Sequence, residues 1–185
     1  MAGKKELLLA ALLAASLLVI AGCAGQAEKA VQAGDNVTVD YTGWLEDGSV
    51  FDTSDAALAM QAGVYDSYQA YEPISFVTGS GEVIEGFDQA IIGMKIGEKK
   101  NFTLAPDQAY GAYNATLVQA VPMELLAEYN ITPHVNDTLH YGSQPVKVVS
   151  IENNTTVYID FNSPLAGEKL TFQVTVRDIR PASSS

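Results

Sequence analysis

Apolar and polar residues alternate from Asn36 to Thr42. Val37, Val39 and Tyr41 share one face, and Thr38, Asp40 and Thr42 share the other. A period of two marks a half-buried strand. Glu46-Asp47-Gly48 predicts a turn, because glycine reaches positive φ at no steric cost. Val50-Phe51-Asp52 resumes on the far side, so the two arms are expected to form a hairpin. An aspartate among apolar neighbours is costly to bury alone and needs a hydrogen-bonding partner. The hairpin would bring Tyr41 within reach of Asp52.

Further along, residues 55–72 read as helix formers up to Gly63, then a loop rich in tyrosine (Tyr65, Tyr68, Tyr71). Residues 73–77 predict a short strand, and Gly79-Ser80-Gly81 a turn. Phe87, Ala90, Ile91 and Met94 fall at i, i+3, i+4 and i+7, one face of a short helix. A strand with Phe102 and Leu104 inward follows. Residues 115–121 read as a strand, and 122–129 as a short helix with Pro122 in its first turn. Residues 146–151 and 155–161 read as a strand pair around Glu152-Asn153-Asn154. Leu170, Phe172, Val174 and Val176 then alternate as a last strand starting near Glu168.

The N-terminus carries a different pattern. Lys4 and Lys5 precede an apolar run over residues 7–22, then Cys23. A charged start, a short apolar run and a small-residue ending make a secretory signal. The run is brief for a spanning helix, which needs about 20 apolar residues. Ile20-Ala21-Gly22-Cys23 resembles a lipobox, with Ile20 in place of the usual leucine. That resemblance implies cleavage before Cys23, lipid on its sulfur and a domain held at the outer face of the membrane. An uncleaved anchor helix and a plain signal peptide with an incidental cysteine fit the same residues. All three put the folded part outside the cytoplasm. Residues 24–33 are small and polar without a period and read as a tether.

Composition narrows the partners. Hydrophobic residues make up 48% of the chain, enough for a sizeable core, and the formal net charge is −12. That charge argues against a basic face for nucleic acid. A single cysteine excludes an internal disulfide. His134 and His140 lack the neighbours of a metal site, so no metal is expected.

Residues 41–54 fit Y-T-G-x-L-x-D-G-x-x-F-D-[ST]-S at every fixed position. This resembles the opening of the FKBP family of peptidyl-prolyl isomerases. Residues 79–87 resemble its second block, G-x-x-x-V-I-x-G-[WF], with Phe87 where many members have tryptophan. Residues 106–111 resemble its third, P-x-x-A-Y-G. Residues 162–174 resemble N-H-P-L-A-G-x-x-L-x-F-x-V of the insert-in-flap (SlyD-like) branch, with Ser163 replacing the usual histidine.

The resemblance implies an α+β fold: an FKBP-like antiparallel sheet wrapped on a short helix, with a small β-rich insert domain in the flap. It divides the chain into a signal peptide (1–22), a lipidated cysteine and tether (23–34), an isomerase domain (35–113 and 162–182) and an insert (114–161). It implies prolyl isomerase activity without a cofactor. Tyr41, Phe51, Phe87 and Phe172 would wall a proline pocket, with Val83 and Ile84 at its rim and the Ile84 N–H binding substrate. Ile74 stands where phenylalanine is frequent, which would thin one wall. Asp52, held by Tyr41, would act electrostatically or by orienting the amide, and Tyr110 would bind a substrate carbonyl. The branch further implies that the insert is a chaperone domain that binds unfolded chains, here exported and proline-containing ones, through exposed apolar surface; a merely structural insert fits the same residues equally well. A peptide-binding module with little turnover shares the fold. The joint presence of Tyr41, Asp52, Phe87 and Tyr110 favours catalysis. A solute-binding lipoprotein would need a larger, two-lobed chain.

Overall fold

A computed structural model of the chain describes residues 29–142 and 144–182. The predicted signal, Cys23 and the first part of the predicted tether lie outside the described residues. Among the described residues, no helix is long and apolar enough to cross a membrane.

The predicted hairpin is formed by β1 (Asn36–Trp44) and β2 (Val50–Thr53), with Thr42 opposite Thr53 and Gly43 opposite Asp52. β1 uses the first half of the same edge to pair with β3 (Ile74–Val77). Its other edge pairs with β9 (Leu170–Arg180), which also pairs with β4 (Lys99–Leu104). All these pairings are antiparallel. Between β2 and β3, helix α1 (Ala56–Ala62) is capped by the Asp55 carboxylate, which accepts from the Ala57 and Leu58 N–H groups.

Helix α2 (Glu85–Ile91) crosses one face of this five-stranded sheet. Phe87 and Ile91 are buried there against Val37, Val39, Phe76, Leu170, Phe172 and Val174. The alternation of β9 holds through Val176 and then slips. Val39 faces Val176 but Thr38 faces Asp178, so Arg177 is the extra residue of a bulge. The slip turns Ile179 into the core.

A second four-stranded antiparallel sheet lies between β4 and β9 in the chain. Its order is β5 (Val118–Pro122), β8 (Thr156–Asp160), β7 (Gln144–Glu152), β6 (Thr138–Tyr141). Helix α3 (Met123–Glu128) packs on it through Leu126, over Val146, Val148, Val157 and Ile159. Asn162 ties its two connections to the first sheet together. The Asn162 Nδ2 donates to the Asn114 carbonyl at 3.0 Å and to Asp160 Oδ1 at 2.7 Å, while its Oδ1 accepts the Asn114 N–H at 2.9 Å.

Several expectations change. The predicted tether runs through Ala33, yet Val31 is fully buried and bonded both ways to the turn after α2: Val31 N–H to the Met94 carbonyl, Gly93 N–H to the Val31 carbonyl. The buried Asp35 reinforces this docking by accepting the Gln32 N–H and pairing with Lys29 at 3.4 Å. Met94 was expected on the helix face. The helix ends at Ile91, and Met94 is buried through that backbone link instead. Of the strand predicted over 115–121, residues Ala115–Leu117 form a 3-10 turn, because the Asn114 side chain accepts the Thr116 N–H. Pro122 is the N-cap of α3 rather than a residue of its first turn.

Candidate active site

The hairpin, β3, the start of α2, the turn after β4 and β9 enclose a cavity of ≈ 470 Å³. All nine residues singled out from the sequence line it: Tyr41, Phe51, Asp52, Ile74, Val83, Ile84, Phe87, Tyr110 and Phe172, with Gly81 and Glu82 beside them. Strand alternation explains most of this. Tyr41 follows Val37 and Val39 on the inner face of β1, and Phe172 lies between Leu170 and Val174 on the inner face of β9.

Three aromatic rings form the apolar end. Phe172 meets Phe51 edge-on at 5.6 Å and Phe87 edge-on at 5.2 Å between ring centres. Tyr41 meets Phe87 edge-on at 6.3 Å. Such edge-to-face pairs hold rings in fixed orientation. Phe76 and Phe102 contact Phe87 from outside the cavity lining.

The polar end is built around Asp52. The Tyr41 hydroxyl donates to Asp52 Oδ2 at 2.7 Å, and the Thr53 N–H donates to Oδ1 at 2.8 Å. Burial, and then the bond to Asp52, push the Tyr41 phenol above its ordinary pKa, so it remains a donor through neutral pH. Burial and the Asp52 charge also raise Tyr110. Among the described residues the Tyr110 hydroxyl and the Ile84 N–H have no protein partner, so both remain open to a ligand.

A carboxylate fixed beside an aromatic pocket, with unspent donors at the rim, suits binding and orienting a peptide. The lining holds no serine, cysteine or histidine that could act as a nucleophile. Residues 27–177 match the family model for FKBP-type peptidyl-prolyl cis-trans isomerases. The chain belongs to this family.

FKBP relatives extend over most of the chain. It is 41% identical over 155 residues to a short-type peptidyl-prolyl cis-trans isomerase of Methanocaldococcus jannaschii, covering 83% of this chain and 97% of that one. It is 33% identical over 152 residues to the FKBP-type isomerase SlyD of Aeromonas hydrophila, covering 80% and 64%. A 16 kDa FKBP-type isomerase of Escherichia coli is 27% identical over 158 residues, covering 83% and 97%. FKBP-type isomerases act on proline-containing polypeptides.

Two contributors to this FKBP site escaped the sequence reading. Gly43 belongs to the first block, but its reason is steric: an added Cβ would lie 2.5 Å from Phe51 Cζ and 3.1 Å from Phe172 Cε1. Phe51 therefore lies across the bare backbone of β1. Gln69, from the tyrosine-rich loop, donates to Asp52 Oδ1 at 3.1 Å. A polar residue in a loop carries no periodic signal that would have shown it.

The second sheet holds a separate apolar cavity of ≈ 490 Å³ between α3 and β6. Leu125, Tyr129, Ile131, Leu139, Tyr141 and Phe161 are among its lining. Tyr129 and Tyr141 are each 72% exposed. Phe161 is half-buried at this cavity. His134 lies beside Asp137 and His140 sits on β6, with no group of three potential metal ligands among the described residues.

Proposed function

We propose that this FKBP-type isomerase seats the substrate proline among Phe51, Phe87 and Phe172, rotates the preceding amide beside Asp52, and serves the folding of exported proteins from a lipid anchor at Cys23. The observation that carries the catalytic part is the cavity with three aromatic rings at one end and the Tyr41–Asp52 pair at the other.

Rotating a peptide bond breaks its resonance against a barrier of about 18–20 kcal/mol. Unaided, an X–Pro bond takes tens to hundreds of seconds, roughly. No bond is made or broken, so catalysis is tighter binding of the twisted amide than of the planar one. Twisting withdraws the nitrogen lone pair from the carbonyl and lowers its polarity, and the twisted state suffers less from leaving water for an aromatic pocket. The carbonyl carbon also loses electron donation, and a carboxylate held beside it stabilises that change. Tyr41 fixes the carboxylate. Tyr110 and the Ile84 N–H hold the chain on either side of the proline.

The second sheet is read as an insert in the flap, acting as a holding chaperone. Its apolar cavity, with the exposed Tyr129 and Tyr141 in the lining, supports this, since a large contiguous exposed apolar patch marks an interaction site. The anchoring reading rests on residues 20–23. Docking of Val31 leaves a short link after Cys23, of about 20 Å even if fully extended to Lys29. An isomerase so tethered would work close to the membrane surface.

The test uses the chain from Ala24 onward, intact and with residues 114–161 replaced by a short loop. Each is timed on a short proline peptide and on a protein whose refolding is limited by a proline. The reading expects the intact chain to be fast on both, and the shortened chain to keep the peptide rate but lose the refolding rate. Equal refolding rates would remove the chaperone role. Absence of catalysis by the intact chain on either substrate would leave a peptide-binding module. Metabolic labelling with a radioactive fatty acid, lost in Cys23→Ser, tests the anchor.

A further inference from the structure

The loop over residues 63–73 is built to hold one side chain against Asp52. Tyr65 and Tyr71 stack at 5.1 Å with 14° between their planes. The Tyr71 hydroxyl accepts the Asp66 N–H at 2.7 Å and donates to the Val64 carbonyl at 3.3 Å. Asp66 in turn accepts the Tyr68 N–H on its carboxylate at 2.9 Å and the Gln69 N–H on its carbonyl at 3.2 Å. The braced loop presents the Gln69 Nε2, which donates to Asp52 Oδ1 at 3.1 Å. An ionised carboxylate accepts only, so the amide nitrogen must face it.

We infer that Gln69 is a positioning residue of the isomerase reaction. It acts through Asp52, and the inference rests on Asp52 acting at the twisting amide as proposed above. The terminal torsion of an aspartate is broad, so one bond leaves its carboxylate free to rock. Tyr41 holds Oδ2, and Thr53 and Gln69 hold Oδ1. Tyr41 and Thr53 belong to the hairpin that carries Asp52. Gln69 is the donor from outside it, and it closes the fork that sets the carboxylate plane. Being neutral, it does so without offsetting the charge that faces the substrate.

The test measures kcat and KM separately on a short proline peptide, with the intact chain and its Q69A, Q69E, D52A and D52A/Q69A variants. Gln69 is exposed, so thermal stability should be unchanged in Q69A and Q69E. Loss of one hydrogen bond to a charged group at an open site should lower kcat about 3- to 10-fold with KM little moved. Q69E keeps the shape but cannot donate when ionised, and should fall at least as far. The double variant should be no slower than D52A. Wild-type kcat in both Gln69 variants overturns the inference while leaving Asp52 in place, as does a Q69A loss that adds in full to that of D52A. Wild-type turnover in D52A overturns the Asp52 role and the Gln69 role together.

Discussion

Replacing Gly43 with alanine should damage the aromatic cavity while sparing the fold. Gly43 lies near the end of β1, opposite Asp52 on one side and Phe172 on the other. Its backbone is not in the left-handed region, so alanine adds no torsional strain. The added Cβ would sit 2.5 Å from Phe51 Cζ and 2.8 Å from Cε1, where ordinary contact begins near 3.4 Å. The Phe51 ring must therefore retreat by about 1 Å. The obstructing atoms are the far end of a side chain, and alanine is otherwise better than glycine in a strand. The stability change should stay within about 1 kcal/mol, which for a chain of this size moves Tm by about 2–4 °C. Catalysis should suffer more, because a shift of about 1 Å in a positioning group can cost up to about 100-fold. We expect kcat/KM on a short proline peptide to drop about tenfold or more, equivalent to at least about 1.4 kcal/mol of transition-state binding. Phe51→Leu placed beside G43A should recover part of the loss by making room. A G43A protein with wild-type kcat/KM would refute the view that Phe51 shapes the reacting site.

Asn162→Ala should loosen the root of the second sheet, since it leaves the Asn114 N–H and carbonyl without their partner. A cost of about 1–3 kcal/mol is expected as a lower Tm, with peptide isomerisation unchanged well below the transition. Docking of the segment before β1 should depend on pH through Asp35. Burial alone would raise its pKa, but the Gln32 N–H and the Lys29 ammonium outweigh burial and hold the carboxyl below its ordinary 3.8. A lowered folded pKa means that the stabilisation is complete above the unfolded value and fades as pH falls through the folded one. Unfolding curves should therefore separate wild type from D35N at neutral pH and converge as the pH falls below 3.8 and through the lowered folded pKa. Curves that stay parallel over that range would show that Asp35 contributes nothing through its charge.

The parts legible in the sequence were those where one pattern reported one environment. Val37 and Val39 alternate because one face of β1 is core, and Leu170 to Val176 repeat this in β9. The motif blocks converge because each lies at the end of an element that opens on the same cavity. What stayed hidden was decided by geometry between distant segments. The bulge at Arg177 exchanges the faces of β9, and alternation cannot report its own interruption. Val31 is one apolar residue in a polar run, held by backbone bonds rather than by a pattern. Strand β6 went unread because it is a short edge strand with only Leu139 half-buried, so it has no period to show. Gln69 and Gly43 act by reach and by absence of volume, neither of which composition records.

The central claim is that a substrate proline occupies the cavity among Phe51, Phe87 and Phe172, next to Asp52. The most direct measurement is the structure of the chain with a short proline-containing peptide bound. The account predicts the pyrrolidine ring between the three phenylalanines, the preceding amide beside Asp52, and the flanking peptide bonded to Tyr110 and the Ile84 N–H. A peptide seated only on the second sheet, with the aromatic cavity empty at saturating peptide, would contradict it.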